Sequence, residues 1–427
     1  MKQFNTFLLT LTILCVAPLN SFAEQVEIDG IRYEVIKKGK AATVIQGGNY
    51  TGDITIPDSI VYEDVTCYVT SIGVAAFANC HDLTSIKIPN TVTSIEESAF
   101  YSCSNLISIN IPEGISFIGK KTFKGCIKLP SIVLPNSVTW IGPYAFDHCY
   151  ELTSINIPEG VTEIGEYAFR NCEKLTSINI PDGITAINGC TFQLCYSLES
   201  VILGSGVTNI DGSAFQYCSK LLSIKFPNST NIIGPYSFQY CSNLKTVEIG
   251  SGITYINQYA FANCEELEVV TCKSTKVPVT VGGAFDNSYI EYAKLIVPDE
   301  SIDSYKESSP WMYFGNIEGI SGNIPEKCAT PTIQYSNGKV TFECETEGVT
   351  FKSSIISPDI KSYNSDAIVL EGTYIVEVYA TKEGYGDSDV ASAEIQLNTN
   401  IQGDIDGDGL INITDVTKII NIILGKE

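Results

Sequence analysis

Apolar side chains return along this chain in a fixed order every 23 residues. One copy, residues 152–174, spaces Leu152, Ile155, Ile157, Val161, Ile164, Phe169 and Cys172 among polar positions. The phenylalanines fall at Phe77, Phe100, Phe123, Phe146, Phe169, Phe192, Phe215, Phe238 and Phe261. Cysteines follow three residues later, from Cys80 to Cys264, and a leucine column runs from Leu83 to Leu267. The period holds without insertion from about residue 60 to residue 272. Self-similarity at a fixed period of about 20–50 residues marks a solenoid, in which each repeat buries its apolar face only by stacking on the next.

Within a copy, Ile86 and Ile88 alternate with Ser85 and Lys87, which predicts a strand with the isoleucines inward. Pro89 ends it, because proline cannot continue a ladder. Val92 and Ile95 predict a second, shorter strand, and Ala-Phe-x-x-Cys a helical or 3₁₀ turn. Residues 24–58 alternate apolar and polar positions and are positioned as a polar N-terminal β cap. The period breaks after Cys272: Phe285 is out of step by one, and no cysteine follows at the expected place. Lys294–Pro298, Tyr305 and Trp311–Phe314 then predict an aromatic C-terminal cap. The fold class is mainly β, a solenoid over 59–320 with its cap.

Residues 329–398 change character. Short alternating runs such as Thr332–Tyr335 and Thr373–Tyr379, separated by turn residues, predict a small antiparallel sandwich. The last stretch, 402–427, carries the most specific chemistry. Asp404, Asp406, Asp408 and Asp415 occupy positions 1, 3, 5 and 12 of a twelve-residue loop with Gly409 at position 6. Ca²⁺ takes six to eight oxygens, and a tight loop supplies them when alternate side chains turn inward. Leu410 adds its backbone carbonyl, and Asn412 a direct or water-borne oxygen. Val416, Ile419, Ile420, Ile423 and Leu424 follow at helical spacing, an apolar stripe that packs on the sandwich or docks a partner.

Composition narrows the function. Lys2, the apolar run Phe7–Val16 and Ser21-Phe-Ala23 form a signal peptide over 1–23, too short to span a bilayer. The mature chain is expected to be exported, with no membrane span. The full sequence carries a net charge of −23, which repels nucleic acid and anionic lipid. Only His81 and His148 are present, so acid–base chemistry has little to work with, and His148 reads as a surface residue. The 15 cysteines of an exported chain invite disulfides. The column spacing argues instead for buried thiols, since parallel side chains on stacked rungs hold sulfurs in poor geometry. Cys328 and Cys344, outside the repeats, are the better disulfide candidates.

Ligand recognition is expected on outward columns. Phe117 beside Trp140 and Tyr144 beside Tyr167 either grip a sugar or protein loop or simply ladder along the surface. The column Lys87, Asn110, Val133, Asn156, Asn179 also points out. No catalytic residues stand out. An enzyme of glycan breakdown needs two carboxylates about 5–10 Å apart. Glu159 with Glu163, or Glu97 with Glu113, are the nearest approach, and nothing distinguishes them from solvated acids.

The unit Leu-x-x-Ile-x-Ile-Pro-x-x-Val-x-x-Ile-Gly-x-x-Ala-Phe-x-x-Cys resembles the BspA-type leucine-rich repeat of bacterial surface proteins, over about residues 60–318. The resemblance implies a right-handed solenoid, extracellular exposure and non-enzymatic binding or adhesion. Residues 328–385 resemble small immunoglobulin-like modules. The terminal segment resembles a dockerin repeat, which implies Ca²⁺ held by Asp404, Asp406, Asp408, Leu410 and Asp415, and a cohesin-like partner. Dockerins usually carry two such units; this chain has one.

Overall fold

The computed structural model describes residues 23–322, 328–336, 339–356, 362–364, 367–382 and 388–401. The signal peptide (apart from Ala23) and the calcium loop lie outside the described residues.

Three parallel walls run the length of a β-solenoid. Twelve strands make the first wall, from Gly52–Thr55 and Leu83–Lys87 through Ser154–Ile155 to Lys294–Val297 and Asn316–Gly319. Gly52–Thr55 pairs in parallel with Leu83–Lys87, so residues assigned to the N-terminal cap already form the first rung. The second wall runs from Ala41–Val44 and Val65–Ile72 through Phe117–Ile118 and Trp140–Ile141 to Val279–Thr280. Neighbours within the repeats pair 23 residues apart, as in Ser131↔Ser154 and Trp140↔Glu163. The inward and outward assignment holds: Ile86 and Ile88 are buried while Lys87 is exposed.

The third wall corrects the expected helical or 3₁₀ turn. Its backbone N–H groups alternate in direction. Phe77 and Phe100 donate up the rod, to the carbonyls of Ala99 and Thr122, while Ala76 and Cys80 donate back to Gly73 and Phe77. That alternation needs two left-handed residues per rung, two before and two after each Phe. Tyr144 (φ 58) and His148 (φ 62) are one such pair, Tyr167 (φ 60) and Asn171 (φ 60) the next. A helix would turn every N–H inward along its own axis; here half of them stitch rungs together. Left-handed non-glycine residues cost about 1 kcal/mol or more each, and the surrounding ladder holds them there.

Phenylalanines fill the axis. Phe77 to Phe285 stack ring on ring, as at Phe146–Phe169 (5.2 Å) and Phe169–Phe192 (5.4 Å). Tyr50 closes the stack at one end, 4.8 Å from Phe77, and Trp311 at the other, 5.5 Å from Phe285. The one-residue slip lies between Cys272 and Val279, because Ile249↔Cys272 keeps the 23-residue step and Tyr255↔Val279 does not.

The cysteine column has a role beyond filling space. Each Sγ from Cys103 to Cys264 donates to the Phe carbonyl of the preceding rung, as Cys172 does to Phe146 at 3.3 Å. That carbonyl already accepts the Cys149 amide, so the thiol satisfies its second lone pair. In the last rung Ser288 takes the place: its Oγ donates to Phe261 O at 2.5 Å and accepts from Cys264 N. A cysteine is not missing there; another small hydroxyl-type donor replaces it. All fourteen described cysteines are free thiols, Cys328 and Cys344 included. Burial pushes the column thiols up, Cys195 to about 12. Thiolate is the reactive form, so native protein titrated with a disulfide reagent is expected to react first at the half-buried Cys190 and Cys344. The column is expected to react only on unfolding. Fast modification of the column in native protein would contradict this packing.

Beyond the solenoid, Thr332–Ser336 and Lys339–Glu343 form an antiparallel pair. Ala367–Thr381 is the centre of a second antiparallel sheet with Thr350–Ile356, Ser362–Asn364 and Ala391–Ile401. The strands are antiparallel, as their alternation predicted.

Candidate binding face

The third wall carries a buried charge cluster. Its column just after the Phe reads Lys124, Asp147, Arg170, Gln193, Gln216 and Gln239 from Phe123 to Phe238. Asp147 is fully buried. Arg170 grips it with Nε and Nη2 at 2.9 and 3.0 Å, and Lys124 Nζ lies 2.9 Å away. His148 Nδ1 sits 2.8 Å from the same carboxylate, and its Nε2 is 3.3 Å from Asn171 Nδ2. Burial alone would raise the Asp147 pKa, but the Arg170 and Lys124 hydrogen bonds prevail and hold it below the ordinary carboxylate value. Further along, Gln193 and Gln216 each donate to the next glutamine, at 2.6 and 2.7 Å.

Tyr144 and Tyr167 flank this cluster, stacked at 4.7 Å and 5°. Lys124 lies 5.0 Å from the Tyr144 centroid and Arg170 4.9 Å from that of Tyr167. Each ring therefore has one face taken by the other, and a cation lies close to both. Tyr217 and Tyr240 also stack, at 4.6 Å, and so do Tyr236 and Tyr259, at 5.4 Å. Phe117 and Trp140 lie on the second wall instead, 6.4 Å apart and tilted, with the Trp140 ring close over Gly142. The four aromatics marked as ligand-binding thus form two pairs on different walls.

Some outward positions are structural. Asn110 bends back to pair with both backbone groups of Ile88, and Asn156 with those of Leu134, at 2.8–2.9 Å. They replace ladder bonds where the strands shorten to two residues. His148 is half-buried and bonded, so it is part of the charge cluster rather than a bare surface residue.

The acids considered for catalysis, Glu97, Glu113, Glu159 and Glu163, are all exposed, and Glu97 pairs with Lys120 at 3.5 Å. Asp211 is the one described carboxylate whose pKa is raised, by burial first and by the charge of Glu166 second. It lines neither of the two hollows near the C-terminal end of the solenoid. Among the described residues no group of three or more His, Cys, Asp or Glu is placed to hold a metal. No described helix is long and apolar enough to cross a membrane.

A parallel β-solenoid of 23-residue rungs with a stitched turn wall defines a leucine-rich repeat protein. The BspA type leucine rich repeat region model matches residues 70–199 and 185–306, and the chain belongs to that family. A leucine-rich repeat protein from Bacteroides ovatus is 32% identical, with 69% of this chain and 76% of that one covered and a TM-score of 0.58. The Treponema pallidum leucine-rich repeat protein is 26% identical over 47% of this chain and 89% of that one, TM-score 0.41. A leucine-rich cell surface protein from Faecalibacterium prausnitzii is 23% identical, covering 69% and 94%, TM-score 0.32. No curated protein matches the chain.

Proposed function

We propose that this is a non-enzymatic, extracellular binding protein whose turn wall recognises a protein partner. One observation carries the reading: Tyr144, Tyr167, Arg170, Lys124, His148 and Asn171 form a bonded aromatic–cation patch on a chain of net charge −23. Tyr and Arg dominate binding hot spots, and side chains already ordered by one another lose little entropy on association. Sugars stack on open ring faces, and Tyr144 and Tyr167 take one face of each other and stand beside two cations, so a protein surface fits better than a glycan. Panels of extracellular proteins and of soluble glycans, presented to the mature chain, test this. Saturable binding to protein without glycan turnover is the expected result; clear hydrolysis of any glycan would overturn it and turn attention to Asp211 and Glu166.

Residues 329–398 serve in this reading as an immunoglobulin-like spacer, and 402–427 as a dockerin-like tag. The donor set Asp404, Asp406, Asp408, the Leu410 carbonyl and Asp415 is all oxygen, which suits Ca²⁺. Calorimetry is expected to show one Ca²⁺ bound per mature chain, lost in the Asp404→Ala, Asp408→Ala double variant. Binding that survives the double variant would remove the loop from the account, and with it the case for a cohesin-like partner.

A further inference from the structure

The last rung departs from the turn wall in a way that opens a hollow. The left-handed column that holds Tyr236 and Tyr259 ends in Gly283, φ +67. A Cβ there would fall 2.2 Å from Asp286 Oδ2, so glycine leaves the carboxylate its place. Beside it lies a hollow of about 540 Å³ lined in part by Asp286, Asn287, Tyr289, Glu291 and Tyr313, within the usual range of small-ligand sites. Tyr289 is 51% exposed and Tyr313 58%. Tyr289 holds a left-handed backbone (φ 47), unusual for a bulky residue, and also walls the adjoining hollow that contains Tyr292, 84% exposed. Unlike the paired tyrosines of the turn wall, neither Tyr289 nor Tyr313 has a ring or cation against its face among the described residues.

We propose that this hollow in the C-terminal cap binds a neutral sugar unit of a glycan. The C–H face of a pyranose lies on an open tyrosine ring. Its hydroxyls donate to the carboxylates of Asp286 and Glu291. Asn287 Nδ2 donates to Asn263 Oδ1 at 3.2 Å, which leaves its own Oδ1 and second N–H for the ligand. Two carboxylates and no Lys, Arg or His in the lining reject uronic, sulfated or sialylated sugars. The site lies at the last rung of the turn wall, several rungs beyond Tyr144 and Tyr167, so the two assignments stand or fall independently.

The test is calorimetry of neutral gluco-, manno- and galacto-oligosaccharides, a uronic oligosaccharide and an arginine-rich peptide into the mature chain, residues 24–427. Variants Tyr313→Ala and Asp286→Asn, each checked for an unchanged melting temperature, are compared with Tyr68→Ala, an exposed tyrosine of the second wall. The expected result is saturable binding of one neutral class, weakened at least tenfold by each cap variant and unchanged by Tyr68→Ala. No neutral member binding, binding that survives both cap variants, or a preference for the peptide or the uronic sugar would each overturn the assignment.

Discussion

Replacing Phe169 with alanine is expected to destabilise the rod by about 3–5 kcal/mol, the range for a buried phenylalanine whose neighbours cannot collapse into the gap. Phe169 is fully buried between Phe146 and Phe192, with ring planes within 3° and 1° of parallel. The neighbours are themselves pinned, since each Phe N–H donates to the next rung. A solenoid is held by nearest-neighbour interfaces, so a weak central rung also uncouples the two halves. Denaturant unfolding of the variant is expected to show a lower midpoint and a shallower or split transition. A single transition with unchanged midpoint would mean that the stack is not the axis of stability.

Asp147→Ala is the second large effect. The variant leaves Arg170 and Lys124 facing each other across a space that held a fully buried carboxylate. Breaking a buried pair costs about 3–5 kcal/mol when the remaining charge stays dry. Both cations here keep about a quarter of their side-chain surface in solvent, 23% and 25%, so hydration reduces the cost to about 2 kcal/mol. The pH dependence follows from the depressed pKa of Asp147. A carboxylate lowered in the folded state contributes its full stability above the unfolded value, near 3.8. That contribution erodes as pH falls from there through the lower folded value. Stability measured from pH 7 to pH 2 is expected to lose this component at the acid end in the wild type. Asp147→Asn is expected to lack that loss, and equal acid sensitivity of the two proteins would contradict the assignment.

The repeat itself was legible because its columns are chemical necessities. Phe at one depth, Cys three residues on and Leu three further can recur only if each occupies the same place in every rung. What the columns could not reveal was backbone conformation. Tyr144 and Tyr167 read as outward aromatics, and nothing in their identity showed that they sit at positive φ in a third hydrogen-bonded wall. Asn110 and Asn156 looked like ligand-facing amides because bending back onto Ile88 and Leu134 is a matter of rotamer. Capping was hidden for a different reason. Tyr50 and Ser288 do the work of the Phe and Cys columns from outside the period, so only their positions in space reveal them. The Lys124–Asp147–Arg170 cluster, by contrast, was there to be found: three consecutive rungs carry +, −, + in one column, and reading that column vertically would have shown it.

The most direct test of the turn wall as the recognition surface uses the Tyr144→Ala, Tyr167→Ala double variant against the protein bound in the panel. Both side chains are half-buried on the surface, and neither reaches the phenylalanine core. Truncating a hot-spot residue costs about 2 kcal/mol or more, so affinity is expected to fall at least thirtyfold with the melting temperature little changed. Undiminished affinity in the folded double variant would place recognition on another face and contradict the account.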